Sequence, residues 1–409
     1  MRMCKTISFN SWNEYFKAPF GALKTNEGAK IRVNSNSDNV YSINLIIEKE
    51  KEDLSCEEIK RIKLATKDNK VYEGEIEELL IPGIYYYYFE VEINKDGRNQ
   101  KLFYGKVHKN GEVCQYAFEN LNKYQLTVYE ENTTPEWFKE GVLYHIFIDR
   151  FNNGNRTGKP SNPKKNSFIY ANWEDDPMYI KDKNGDIERW DFYGGNLKGV
   201  INKLGYLKKL GVSIIYLSPV FESSSNHKYN TGDYKKIDPM FGDEEIFKEL
   251  IKKAEDKGIS IILDGVFSHT GADSKYFNKF NNYDTKGAYG NEDSPYRNWY
   301  IFDDSETGYD CWWGVKDLPN VNELDPSYVD YIIKDKDSVL NKWTKMGVKG
   351  WRLDVVDELP DEFVTEFKKE LKNTQNDSVL VGEVWEDASN KVSYGQRRKY
   401  LLGKQLDSV

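Results

Sequence analysis

The chain has 409 residues, 58 Lys and Arg against 67 Asp and Glu, and a net charge of −9 with the basic residues scattered. A nucleic-acid partner is excluded, because gripping phosphates needs a concentrated basic footprint, and so is a membrane span, because no apolar run is long enough. The 39% hydrophobic and 31% charged residues describe a globular chain long enough for two or three domains.

The first residues, "MRMCKTISFNSWNEYFKAPF", lack the continuous apolar core of a secretion signal. Cys4, Cys56, Cys114 and Cys311 are far apart and form no CxxC pair, which reads as free thiols in a cytoplasmic protein. The runs "NVYSINLIIEKE", "GIYYYYFEVEI" and "KLFYGKV" alternate in the strand manner between turn formers such as "NKDGRN". Residues 1–131 therefore read as a small β-sandwich, followed by the linker "YEENTTPEWFKEG".

Beyond that linker the pattern changes. Five apolar runs, "GVLYHIFIDRF", "VSIIYLSPVFE", "ISIILDGVFSH", "VKGWRLDVVDE" and "SVLVGEVWE", each end in polar or charged residues. Helix-period segments such as "LKGVINKLGYLKKLG" and "DEEIFKELIKKAEDKG" lie between them, each closed by Gly. Alternating strands and helices give a parallel α/β sheet. Polar residues at every strand end favour a TIM-type β/α barrel over 132–409, whose chemistry sits on that rim. An open dinucleotide-type sheet would carry a Gly-rich turn after its first strand, and none is present. A long insertion follows the first strand (152–196) and another the third (270–322), the latter dense in Tyr, Trp, Asn and Asp. Aromatic loops of that length read as functional.

In "GWRLDVVDE", Arg352 and Asp354 are two apart on a strand and face the same way. Charge pairing should lower the pKa of Asp354 and keep it ionised; a structural ion pair would read identically. Glu383 shifts that balance. It closes the next apolar strand beside Trp385, where burial should raise a carboxyl pKa and suit it to general-acid work. Two such carboxyls on adjacent strand ends match the pair of a retaining glycosidase. In "DGVFSHTG", Asp264 could brace Arg352 and His269 could meet a substrate hydroxyl; in "SSSNHKYNTGDY", His227 falls in a rim loop and Tyr229 is either a stacking platform or core. No further ligands near these His residues have metal-site spacing.

At this point the motifs resemble a known family. "DGVFSH", "GWRLDVVDE" and "GEVWE" are similar to three regions of the α-amylase family, glycoside hydrolase family 13, and "HKYNTGDY", "DLPNVN" and "DFYGGNLKGV" resemble its neopullulanase and cyclomaltodextrinase branch. The resemblance implies an α-glucan hydrolase acting on maltodextrins, cyclodextrins or pullulan. It implies Asp354 as nucleophile, Glu383 as acid/base, Arg352 and His269 as subsite residues and Tyr229 as the platform. It also implies a starch-binding-type module in 1–131 and a homodimer formed through it.

No cofactor is required by this chemistry, and the family's calcium sites look impaired. Ser268 stands where members carry Asn, and the loop "FNNGN" with Asn153, Asn155 and Gly194 has Asn155 and Asn196 where Asp is usual. Loss of anionic donors should weaken or abolish binding there. The resemblance further implies that barrel strands six to eight, a third catalytic Asp and a C-terminal β-domain lie beyond a chain that stops one helix after Glu383. The 409 residues alone are then expected to be inactive. A non-catalytic glucan-binding protein on a degenerate barrel is the rival reading.

Overall fold

Alternation of inward apolar residues builds the first part of the chain. Ile43, Leu45 and Ile47 on the strand Val40–Glu50 face the same core as Tyr85, Tyr87, Phe89 and Val91 on the strand Gly83–Lys95. These two strands pair antiparallel within a seven-stranded sheet. A five-stranded sheet built on Ala29–Ser35 and Val71–Ile76 adds Ile31, Val33 and Tyr72 to that core. Period-2 side chains on two sheets thus share one apolar layer. A computed structural model describes residues 6–79 and 81–409, so Cys4 lies outside the described residues. Cys56, Cys114 and Cys311 are free thiols.

The second part carries five parallel strands: β1 (Leu143–Ile146), β2 (Ile214–Leu217), β3 (Ser260–Gly265), β4 (Gly350–Leu353) and β5 (Val379–Gly382). They pair in sequence order, with no reversal. A doubly wound sheet must reverse its order at a switch point; sequential order is that of a barrel wall. Helices α1 (Leu197–Lys209) and α2 (Glu244–Glu255) lie between the early strands, and α3 (Val339–Thr344) and α4 (Asp361–Thr374) flank β4. In α2, Phe247, Leu250, Ile251 and Ala254 are buried at i, i+3, i+4 and i+7, and the Asp243 side chain caps its N-terminus by accepting from the Ile246 N–H at 2.9 Å. Gly211 (φ +92°) and Gly258 (φ +63°) end the turns after α1 and α2 in the left-handed region that glycine tolerates. No helix among the described residues is long and apolar enough to cross a membrane.

An antiparallel hairpin, Phe221–Ser223 with Thr231–Ile237, follows β2 where the sequence suggested only a loop. The stretch 270–322 has two short 3₁₀ turns and isolated bridges, His269↔Asn320 among them.

The structure departs from the reading of 132–409 as one barrel domain. The compact units are the chain up to Asn132 with Glu386–Lys404, and Thr133–Trp385 with Gln405–Val409. In the first unit Arg397 forms a two-pronged ion pair with the buried Glu50, at 2.6 and 2.7 Å, and Gln125 bonds Ser389 and Asn390. The helix anticipated after β5 is also absent. Tyr394, Gly395 and Gly403 adopt positive φ, which interrupts a right-handed helix, and only a 3₁₀ turn (Ala388–Asn390) and a two-residue hairpin form. The last residues of the chain also lie along β5. Ser408 bridges Val381 in parallel, the Asp407 N–H donates to Leu380 O at 2.8 Å, and the buried Asp407 carboxylate accepts from the Leu380 N–H at 2.8 Å while pairing with Lys368.

Candidate active site

Strand parity aims the site. Asp264 and Arg352 are direct ladder partners on β3 and β4, so their side chains share a face, and Asp354 lies two residues on from Arg352. Arg352 is the hub. Its Nη1 donates to Asp264 Oδ1 at 2.9 Å and to Asp354 Oδ1 at 2.6 Å, and its Nη2 contacts Glu383 Oε2 at 2.7 Å. One guanidinium therefore joins three carboxylates at the ends of three consecutive strands.

The turn after Asp354 is held from both sides. The Asp354 N–H donates to Gly265 O at 3.0 Å, the Glu383 N–H to Leu353 O at 3.0 Å, and the Val356 N–H to Glu383 O at 3.2 Å. Val355 between them has φ +36°, a costly conformation for a β-branched residue, and its N–H donates to Glu383 Oε2 at 2.9 Å.

Two electrostatic expectations change. Burial first, then the neighbouring Asp264 carboxylate, push Asp354 up to about 7, against the opposing pull of Arg352. Charge pairing was expected to lower it, but the guanidinium is shared with Asp264, and desolvation dominates a nearly buried carboxyl. Nor is Glu383 enclosed against Trp385. Its side chain is 31% exposed and Trp385 is 59% exposed. Asp264 is fully buried and also raised by burial, with Arg352 the largest opposing influence.

The remaining residues fall around this hub. The Tyr229 hydroxyl donates to Asp264 Oδ2 at 3.1 Å, and its ring lies at 25° to His227, centroids 5.8 Å apart. His227 Nδ1 accepts the Tyr229 backbone N–H at 3.1 Å, and burial pushes the imidazole down to about 4. His269, likewise pushed down to about 4 by burial, contacts Ser268 Oγ through Nδ1 at 3.0 Å, while its Nε2 is buried without a partner among the described residues.

Two residues escaped the sequence reading. Tyr216 donates its hydroxyl to Asp264 Oδ2, and His145 stacks on Tyr216 with centroids 4.5 Å apart. They are ladder partners on β1 and β2. Each is the isolated polar member of an apolar run, a signal visible in "LYHIF" and "IIYLS". The insertion adds Trp312 beside His269 and Trp313, whose indole N–H donates to Glu358 at 3.1 Å and whose ring meets Trp385 edge-on at 5.7 Å.

The calcium candidates do not converge on a cation. The Asn196 amide donates to Asn153 Oδ1 at 3.2 Å, and the Asn155 amide donates to Lys159 O at 2.7 Å and Ser161 Oγ at 3.0 Å. Asn196 Oδ1 accepts from the N–H groups of Gly199 and Gly154, capping α1, and Gly194 supplies a left-handed turn with φ +85°. N–H groups occupy Asn153 Oδ1 and Asn196 Oδ1, and amides stand in place of carboxylates, so this donor set fits calcium poorly. No group of three or more His, Cys, Asp or Glu able to hold a metal occurs among the described residues.

Comparison with known proteins bears on this geometry. Residues 145–403 match the family described as alpha amylase, catalytic domain. The chain is 37% identical to an amylopullulanase of Thermoanaerobacterium saccharolyticum, over 98% of this chain and 33% of that protein. It is 36% identical to neopullulanase 2 of Thermoactinomyces vulgaris, over 76% of this chain and 48% of that one. Among solved structures it resembles the cyclic α-maltosyl-(1→6)-maltose hydrolase of Arthrobacter globiformis at 28% identity and a TM-score of 0.54, covering 68% of this chain and 56% of that one. The chain thus spans between a third and a half of the length of these curated relatives.

Proposed function

This chain belongs to the alpha-amylase catalytic-domain family, whose fold is the TIM barrel, and from that membership we propose that it supplies the nucleophile and acid/base of a retaining α-glucan hydrolase. The observation that carries the reading is the single Arg352 guanidinium bonded to both Asp354 and Glu383. Asp354 attacks the anomeric carbon as the bond to the leaving oxygen breaks and Glu383 gives that oxygen its proton. Glu383 then takes a proton from water, which displaces Asp354 and releases the sugar with its configuration retained. Arg352 holds the two carboxyls in register, and Asp264 holds Arg352. The unpartnered His269 Nε2 awaits a sugar hydroxyl, since an unsatisfied buried polar atom is costly until a ligand meets it.

The bonds cleaved are α-1,4 links, with α-1,6 links also in range, in maltodextrins, cyclodextrins or pullulan. We place turnover in a closed barrel. The 409 residues, with five strands in the parallel ladder, are expected to be inactive alone, because rim misplacement of about 1 Å costs roughly 100-fold. The unit built on residues 1–131 is read as a starch-binding-type module that also pairs two copies. The free thiols Cys56, Cys114 and Cys311 support the cytoplasm as compartment.

The test is trapping. A fluorinated α-glucosyl donor, incubated with the full-length gene product and followed by peptide mass mapping, should label the peptide containing Asp354. Inversion at the anomeric centre, read by NMR, would sink the assignment.

A further inference from the structure

The loop that carries Tyr229 is pinned from behind by a charge that the catalytic chemistry leaves unused. Lys228 lies between His227 and Tyr229, in the connection from the strand Phe221–Ser223 to the strand Thr231–Ile237. Its φ is +68°, an uncommon conformation for a residue with a Cβ. The flanking rings of His227 and Tyr229 stack on each other, while the Lys228 side chain is fully buried.

The buried ammonium is held on several sides. Lys228 Nζ donates to Ser225 O at 2.6 Å and reaches Asp238 Oδ2 at 3.0 Å and Ser223 O at 3.4 Å. The ring centroids of Phe192 and Phe241 lie 5.2 and 4.9 Å from it. Asp238, fully buried itself, also accepts the N–H groups of Ser223 at 3.1 Å and Met240 at 2.9 Å. Its second cation is Lys164 at 2.8 Å, a partly exposed residue of the insertion after β1. Burial pulls Lys228 down to about 8, with Asp238 the largest opposing influence, so the amine is mostly charged at neutral pH.

We propose that Lys228 is a positioning residue for the glucan platform: its ammonium, locked on Asp238, fixes the Tyr229 ring and hydroxyl against Asp264. The inference rests on the hydrolase reading only in taking Tyr229 as that platform. A buried ion pair adds little net stability over apolar packing, because desolvation offsets the attraction. What this pair adds is direction. Releasing Lys228 from its slot carries Tyr229 with it and breaks the 3.1 Å bond to Asp264, the carboxylate that braces Arg352. Lys164 brackets Asp238 from the insertion, so that carboxylate keeps a cation when Lys228 is replaced.

Lys228→Met and Lys228→Gly in the full-length protein test the pin. Both remove the ammonium, and glycine also adopts the positive φ freely, so one of the two avoids the backbone strain. Tyr229→Ala and the two double variants complete a mutant cycle. Affinity for maltohexaose is read by calorimetry in a Glu383→Gln background, where the sugar survives the titration. Each Lys228 change should weaken binding by about 5- to 10-fold, the worth of one ring contact, and add nothing once Tyr229 is replaced. With Glu383 intact, KM should rise by the same factor. A merely unstable variant loses active protein instead, which lowers apparent kcat at constant KM. Weakening that needs Tyr229 supports the pin even if no turnover is found. Wild-type affinity in both Lys228 variants beside a weakened Tyr229→Ala overturns the pin and leaves the platform reading standing. Additive losses do the same, because they place the effect of Lys228 elsewhere. A Tyr229→Ala variant with undiminished affinity overturns the platform reading and the pin with it.

Discussion

Val355 donates its N–H to the carboxylate of Glu383 at 2.9 Å from a left-handed conformation, so a strained residue at one strand end holds the carboxylate at the end of the next. Glycine adopts that φ freely. Val355→Gly should therefore recover about 1–3 kcal/mol of strain, roughly offsetting the burial it loses. Val356→Gly next door, fully buried and without that strain, should cost about 3 kcal/mol. Denaturant midpoints measured on both variants compare them directly. Equal losses would mean that Val355 stores no strain.

The raised pKa of Asp354 makes stability depend on pH. A carboxyl with ordinary pKa near 3.9 when unfolded and about 7 when folded binds its proton more tightly in the native state. Its stabilising share is full below about pH 4 and is lost as pH rises through about 7. Asp354→Asn should melt above the wild type at pH 8, with the difference closing toward pH 4. A difference that grows on acidification would reverse the assigned direction.

Glu383→Gln keeps an oxygen for Arg352 and for the Val355 N–H but removes the transferable proton. In the full-length enzyme, turnover of an unactivated maltodextrin should fall by about 10²–10⁴-fold with glucan affinity nearly unchanged. Near-normal turnover would remove Glu383 from the mechanism.

Asp264→Asn leaves Arg352 facing an amide in place of a buried carboxylate. Breaking such a pair costs about 3–5 kcal/mol, read as a lower melting temperature. Asp264 touches no reacting atom on this reading, so kcat should drop more than the affinity for maltohexaose. A variant that loses stability but keeps kcat would make Asp264 purely structural.

At the Asn153 loop, Asn196→Asp keeps the cap on α1 but replaces the N–H donor with a second oxygen facing Asn153 Oδ1. The repulsion is relieved by a cation. Asn155→Asp combined with Asn196→Asp should show a melting temperature that rises with calcium and falls with chelator, while the wild type responds to neither. A calcium-dependent wild type would show that the amides do not fill the site.

The sequence alone determined the five barrel strands, the residues that close them and the capped helices between. Those are local signals: apolar runs, strand parity and a Gly at a helix end act over a few residues. "GWRLDVVDE" was enough to put Arg352 and Asp354 on one face. Tertiary structure decided what depends on distant neighbours. The pKa of Asp354 rises first because the chain around it excludes water and then because the Asp264 carboxylate, distant in sequence, sits beside it. Residues 386–404 group with the N-terminal unit, where Arg397 pairs with Glu50, a partner no local pattern reveals. Tyr216 and His145 looked like single polar interruptions in apolar strands until parallel pairing set them side by side against Asp264. Side-chain direction along a strand follows from period, but solvent exclusion and partner choice follow only from which segments the fold brings together.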